Sequence, residues 1–172
     1  MDRRRLIPPL LLCLALVPSC DDGGKPRPEP EKLTAEVVGS LEEALQAEFL
    51  AQQTAFLATE DFGGESGALF DQLHEDANRR TAELARLFTA YDLVVPASDW
   101  NVTNVPRFAD AGAARRGLIE QELERRRLYD ELLVGQDLPA DVAWTWERLR
   151  RRIDEERLPL LEGTASEPPS VE

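Results

Sequence analysis

The sequence predicts an all-α protein, a four-helix bundle with a long connection between its second and third helices. Three observations carry that expectation. Apolar residues recur at three- and four-residue spacing through the middle of the chain, the alternating β-branched runs that mark strands are scarce, and clusters of Gly and Pro divide the pattern into four segments of helical length.

The first segment, Lys32 to Thr59, places Val37, Leu41, Leu45, Phe49 and Phe56 on one stripe and ends at Glu60-Asp61-Phe62-Gly63-Gly64. The second, Ser66 to Tyr91, aligns Leu69, Phe70, Leu73, Ala77, Leu84, Phe88 and Tyr91. Pro96 and Pro106 bracket a non-helical connection. The third, Ala109 to Val134, carries Ala111, Ala114, Leu118, Tyr129, Leu132 and Leu133 and stops at Gly135, a residue suited to a helix C-terminus. Asp137 and Pro139 open the fourth, which aligns Leu138, Val142, Trp146, Leu149, Ile153 and Leu160; Pro159 is expected to kink or end it near Leu158. Four amphipathic rods of this length bury their stripes best against one another.

Connection length bears on topology. The first and third turns are short and force antiparallel neighbours. The stretch from Asp92 to Phe108 could extend roughly 55 Å, more than the roughly 38 Å of a 25-residue helix. A crossover along the whole bundle, giving an up-down-down-up order, is therefore open to this chain, as is a local loop with the up-down-up-down order.

Outside the bundle, the chain begins with Arg3, Arg4 and Arg5, an apolar run from Leu6 to Val17, and Val17-Pro18-Ser19-Cys20. A basic start followed by about a dozen apolar residues is too short to span a bilayer and reads as a targeting peptide over residues 1–19. Its end resembles the lipobox of bacterial lipoprotein precursors, which implies lipidation of Cys20 and a domain held at the cell envelope by an N-terminal lipid. The alternative is an ordinary secretory signal cut near Ser19, with Cys20 a free thiol. Residues 20–31 are rich in Pro, Gly and charge and read as a flexible tether, residues 32–162 as the bundle, and residues 163–172 as a disordered tail.

The chain carries 20 basic and 33 acidic residues, a net charge of -13. Because the first nineteen residues hold three Arg and one Asp, the remainder is near -15. Such a surface repels phosphate backbones, which argues against nucleic acid as a partner. Membrane association is then assigned to the lipid alone, and a protein partner is left unnamed. Cys13 lies within the targeting segment, so no disulfide is expected.

Certain residues also resemble a family, the ferritin-like or rubrerythrin-like four-helix bundles, and among them a bacterial domain family of unknown function. The resemblance runs roughly from Leu41 to Gly163. It rests on Leu87-Phe88-Thr89-Ala90-Tyr91-Asp92-Leu93 with Pro96, on Gly117-Leu118-Ile119-Glu120, and on Trp146-Glu147-Arg148-Leu149. It implies a core that holds two metal ions through a Glu on each of two helices and a Glu-x-x-His pair on each of the others. This chain departs from that pattern: His74 is its one histidine and no Glu-x-x-His occurs. Alignment on Tyr91-Asp92-Leu93 puts Ala77 at the family's Glu and Arg80 at its His; in the fourth helix the corresponding His falls near Glu156.

Helical wheels then place polar residues on all four inward faces: Gln52 and Glu48, then Arg80, then Glu122 flanked by Arg115 and Arg126, then Glu156 with Arg157. Glu120 points away from its stripe, and His74 sits at the edge of one. The sharper expectation is a buried ion network of Glu48, Arg80, Glu122 and Glu156, in which Arg80 supplies the positive charge of a lost metal. The bland one is that these side chains reach water from the stripe edges. Trp146 reads as core, Trp144 as partly exposed and Trp100 as an anchor for the connection.

Two functional classes follow. In the preferred one the chain is a non-catalytic envelope protein, a binding or structural module with no cofactor. In the alternative, Glu48, Glu75, Glu122 and Glu156, with His74 as a further candidate, bind iron or manganese for oxidation or storage. Arg80 directed into the same space opposes that alternative.

Overall fold

The computed structural model describes residues 32–64, 66–134 and 137–163. Helix α1 spans Ala35–Asp61, α2 Gly67–Ala90, α3 Ala111–Val134 and α4 Ala140–Arg152; a π-helical turn, Ile153–Arg157, leads into α5, Leu158–Gly163. The expected targeting segment, Cys20, the tether, Gly135 and the tail beyond Gly163 lie outside the described residues.

Local chemistry sets the helix ends. The Thr34 hydroxyl accepts from the Val37 amide at 3.3 Å to start α1, and the Asp110 carboxylate accepts from the Ala113 amide at 2.7 Å to start α3. At the end of α2 the Leu93 amide bonds the Phe88 carbonyl at 2.8 Å while Asp92 takes a positive φ of 55°. This left-handed stop with Leu93 folded back on the core is a Schellman turn. It is built from the Tyr91-Asp92-Leu93 stretch that the sequence marks as a helix terminus.

Two apolar clusters fix the direction of each rod. The lower joins the start of α1 (Val37, Leu41), the ends of α2 (Leu87, Phe88) and α3 (Tyr129, Leu132), and the start of α4 (Val142, Trp146). The upper joins the end of α1 (Ala55, Ala58), the starts of α2 (Phe70, Leu73) and α3 (Ala114, Leu118), and Leu161 of α5. Helices α1 and α4 therefore run one way and α2 and α3 the other. The connection after α2 climbs the whole bundle, so the up-down-down-up order is the one adopted. It passes α1 at mid-height, where the Gln46 amide donates to the Ala97 carbonyl at 2.8 Å and accepts from the Asp99 amide at 2.9 Å. It reaches the top where Arg107 pairs with Asp61 at 2.6 Å. The packed pairs α1/α2, α1/α3, α3/α4 and α2/α4 form a square whose neighbours are all antiparallel.

Two sequence expectations need correction. On α1 the buried line is Val37, Leu41, Ala44, Glu48, Ala51, Ala55 and Ala58, while Phe49 is half-buried and Phe56 is exposed. Repeated steps of four drift around a 3.6-residue helix, and the true line alternates three and four through small alanines of weak hydropathic signal.

The second correction concerns Pro159. It neither ends nor breaks the fourth rod, because the π turn just before it carries the chain through: the Leu158 amide bonds the Ile153 carbonyl five residues back, and the helix resumes to Gly163. The wider turn inserts one residue into the helical register. Inward positions shift accordingly, from Leu160, which is half-buried, to Leu161, which is fully buried, and from Glu156 to Arg157.

That shift has a measurable consequence. Leu161→Ala is expected to lower unfolding stability by about 2–4 kcal/mol and Leu160→Ala by about 1 kcal/mol or less in urea denaturation. Equal losses would contradict the inserted register.

Candidate functional site

Between the two apolar clusters lies a layer of charge. Glu48, Arg80, Glu122, Arg125 and Arg157 are all at least 96% buried, and Asp76 is 9% exposed. Each stands on the inward line of its helix at the mid-height of the bundle: Glu48 on α1, Asp76 and Arg80 four residues apart on α2, Glu122 and Arg125 three apart on α3, and Arg157 closing the π turn. Residues three or four apart share a helix face, so each of α2 and α3 presents an acid and a base to the same interior.

The contacts form a closed circuit of alternating sign. The Arg80 Nε donates to Glu48 Oε2 at 2.7 Å, and its other arm reaches Asp76 Oδ2 at 2.5 Å. Arg157 contacts Asp76 and donates through Nε to Glu122 Oε1 at 2.6 Å. Arg125 ion-pairs with Glu122 at 2.5 Å and lies 4.0 Å from Glu48, which completes the ring. Each of the four antiparallel seams is crossed by one ion pair of the ring: Glu48–Arg80 for α1/α2, Asp76–Arg157 for α2 and the fourth rod, Arg157–Glu122 for the fourth rod and α3, and Arg125–Glu48 for α3/α1. The three carboxylates and three guanidiniums sum to zero. Tyr129 adds a phenolic donor to Glu48 Oε1 at 2.8 Å, and Arg152, at the half-buried edge, reaches Asp76 Oδ1 at 3.1 Å.

Burial alone would raise the Glu48 pKa. The Arg80 and Arg125 charges, with hydrogen bonds from Arg80 and Tyr129, outweigh it and hold the carboxyl below its ordinary 4.5. Burial would likewise lower Arg80, but Glu48 and Glu122 keep it firmly ionised above its usual value. Burial and the neighbouring Glu48 charge drive Tyr129 well above 10.0, so its phenol stays protonated. A lowered carboxyl favours the fold at neutral pH, and that contribution is lost as pH falls through the folded-state value; the raised phenol contributes below pH 10 and loses its effect in alkali. With its charged groups paired and deeply buried, the ring offers neither an accessible nucleophile nor a free general base.

The sequence-marked residues divide on inspection. Glu48, Arg80 and Glu122 come together as expected. Glu156 does not join them: the π register turns it outward, where it pairs with Arg152 at 3.2 Å. Glu75 is exposed, as is Glu120. His74 is half-buried, with Nδ1 3.1 Å from the Gln52 carbonyl and its ring tilted against Phe56. Gln52 bonds the Asn78 side chain at the bundle edge. Arg115 is half-buried, and Arg126 pairs with Asp154 at 3.2 Å; the buried arginine of α3 is Arg125. Trp146 is core and Trp144 is half exposed beneath Arg148.

Asp76 and Arg125 are ring members that wheel reasoning passed over. Both signals were present, since Asp76 lies at i,i+4 from Arg80 and Arg125 at i,i+3 from Glu122. Arg157 stands beside Glu156 in the sequence, and the residue inserted by the π turn brings it to the inward position.

The family resemblance implies a pair of metal ions, and the donor set does not fit them. Glu48 and Glu122 already face guanidiniums, Glu75 and Glu156 point to the surface, and a dication at the centre would meet three buried cations. No cluster of three or more His, Cys, Asp or Glu arranged to hold a metal occurs among the described residues. Comparison with protein-family models, with curated proteins and with solved structures finds no match for this chain.

Removing one member leaves an uncompensated buried charge. Arg80→Ala is expected to cost about 3–5 kcal/mol of unfolding free energy, whereas Arg79→Ala, whose side chain is 62% exposed, should change it by about 0.5 kcal/mol or less. Matched melting temperatures for the two variants would contradict the buried ring.

Proposed function

We propose that this chain is a lipid-anchored protein of the bacterial cell envelope whose ferritin-like bundle serves as a non-catalytic binding or structural module, with an ion ring standing where metal-binding relatives of that architecture carry their metals. The single observation behind the reading is the neutral circuit of Glu48, Arg80, Asp76, Arg157, Glu122 and Arg125 at mid-height in the bundle. Guanidinium holds its charge at any physiological pH and spans two carboxylates with its fork of donors. It thus supplies the cross-bracing of a metal pair with neither redox chemistry nor an open coordination position. The up-down-down-up order supports the ferritin-like part of the reading, as do the helix-ending motif at Tyr91-Asp92-Leu93 and the Ile119-Glu120 and Trp146-Glu147 stretches.

The anchor is supported by Arg3 to Arg5, the apolar run to Val17 and the cysteine at position 20. Several acyl chains on one residue hold a protein at a bilayer where a single chain would let it go. No described helix is long and apolar enough to cross a membrane. Residue 32 leads into the lower end of α1, so a tether from Cys20 would join the bundle at that end.

Two measurements on the full chain test this together. Radiolabelled palmitate fed to an expressing bacterium is expected to label the parent and not Cys20→Ser. Elemental analysis after exposure to iron and manganese is expected to give well under one ion per chain. Stoichiometric metal that disappears in Glu48→Gln would replace the module with the carboxylate-metal reading.

A further inference from the structure

A groove of about 390 Å³ lies on the outer surface of the α1/α3 seam. Ala47, Leu50 and Leu128 supply its apolar lining, together with the half-buried Trp100 of the crossing connection. That stretch of the connection is held in place. The Gln46 side chain, also in the lining, grips the Ala97 carbonyl and the Asp99 amide, and the Asn104 side chain braces the turn through the Asn101 amide and the Asp99 carbonyl. A preformed apolar space of this size with a fixed aromatic group suits a small organic molecule.

Charge selects the kind of molecule. The rim carries the exposed carboxylates Glu43, Glu124 and Glu131, and none of them forms an ion pair among the described residues. Glu124 and Glu131 stand one turn to either side of Leu128 on the same face of α3. Glu43 lies five residues below Glu48, and Glu131 six below Arg125. Because Glu48 and Arg125 approach each other across the seam, Glu43 and Glu131 sit at matching depth on facing helices, roughly 8 Å below the ring. Like charges so placed repel, and α1 has no Lys or Arg to set between them. Arg127 is the rim's one basic residue, and it pairs with none of the three. Along the fourth rod the acids are answered by the chain itself: Glu83, Asp130, Asp154 and Glu156 each pair with one of its arginines.

We infer that this groove binds a small organic cation, its ammonium head held by the rim carboxylates and the Trp100 indole and its apolar part laid on Leu50 and Leu128. An indole is the side chain that best attracts a cation to its ring, and the carboxylates add charge complementarity. A metal ion is the poorer fit, since it needs several converging oxygens and no such cluster occurs among the described residues. All of these contacts lie on the outer surface, and the buried ring takes no part in them. The inference rests on the binding-module reading and gives that module a class of ligand.

NMR titration of the full chain with benzyltrimethylammonium, N,N-dimethylbenzamide and phenylacetate tests this, since the three are alike in size and differ in charge. The cation is expected to saturate with a Kd of about 1 mM or below, the range open to so small a ligand. The neutral amide should bind at least about fivefold more weakly and the anion at least about tenfold more weakly. Glu43→Gln combined with Glu131→Gln should weaken the cation at least about fivefold, and Trp100→Leu at least about threefold. Glu36→Gln combined with Glu42→Gln removes the same charge outside the groove and should change the affinity by less than about twofold. All four glutamates are exposed, so both double variants should keep the circular dichroism of the parent. Absence of saturable cation binding, an amide that binds as tightly, equal weakening by the two double variants, or indifference to Trp100→Leu would each overturn the inference. Palmitate labelling and metal content are independent of the titration, so this site and the anchored module fail separately.

Discussion

The constraint on which the rest of the structure depends is the neutrality of a buried circuit. Taken singly, three buried carboxylates would be driven toward the neutral acid, and three guanidiniums, which stay ionised, would each bear a desolvation cost of several kcal/mol. Arranged in alternation, each carries a partner on either side, and the four helices must stand at one height for the circuit to close. The ring also divides the core. Leu45, Leu84, Tyr129 and Ile153 lie below it; Ala55, Leu73, Leu118 and Leu161 lie above. Rods lined largely with alanine and leucine could slide past one another by a turn, about 5.4 Å, at modest cost in apolar contact. Such a slip in any one rod would place its charge against an apolar layer, so the ring acts as the axial registry of the bundle.

The π turn belongs to the same constraint. Without the inserted residue the fourth rod would direct Glu156 inward, and the interior would hold four acids against two arginines. With it, Arg157 closes the circuit between Asp76 and Glu122 while Leu161 completes the upper cluster. Pro159 cannot donate a hydrogen bond to the turn before it, which makes a regular α-helix through Glu155 incomplete and favours the wider turn at that place. One local backbone irregularity thereby decides the sign of a charge in the core.

Much of the architecture was legible from spacing. The four helical segments, the short outer turns and the length of the middle connection sufficed for an all-α bundle, and the polar residues Glu48, Arg80 and Glu122 stood out because they interrupt otherwise apolar stripes. What spacing could not carry was register beyond about four turns. On α1 the alanines that line the core have little hydropathic weight, so the eye follows Phe49 and Phe56 away from the true face. On the fourth rod a constant 100° step cannot anticipate an inserted residue, and the acid at 156 is exchanged for the base at 157. Asp76 and Arg125 were hidden for a different reason: each lies where a stripe edge and a stripe centre are a single residue apart, and only the partner on the facing helix decides between them. The direction of α3 was also beyond the sequence, because a seventeen-residue connection permits either order and the side-chain clamp on Gln46 that guides it acts between residues some fifty positions apart.

The most direct measurement of the central claim is a double-mutant cycle between Glu48 and Arg157, which sit on opposite sides of the circuit and share no hydrogen bond. Unfolding free energies of Glu48→Gln, Arg157→Met and the double variant would be compared by urea denaturation. A single cooperative ring is expected to give a coupling energy of about 0.5–3 kcal/mol, since each change alone leaves the remaining five charges out of balance and the two together restore neutrality. Additivity within about 0.3–0.5 kcal/mol would show a set of independent ion pairs and contradict the account.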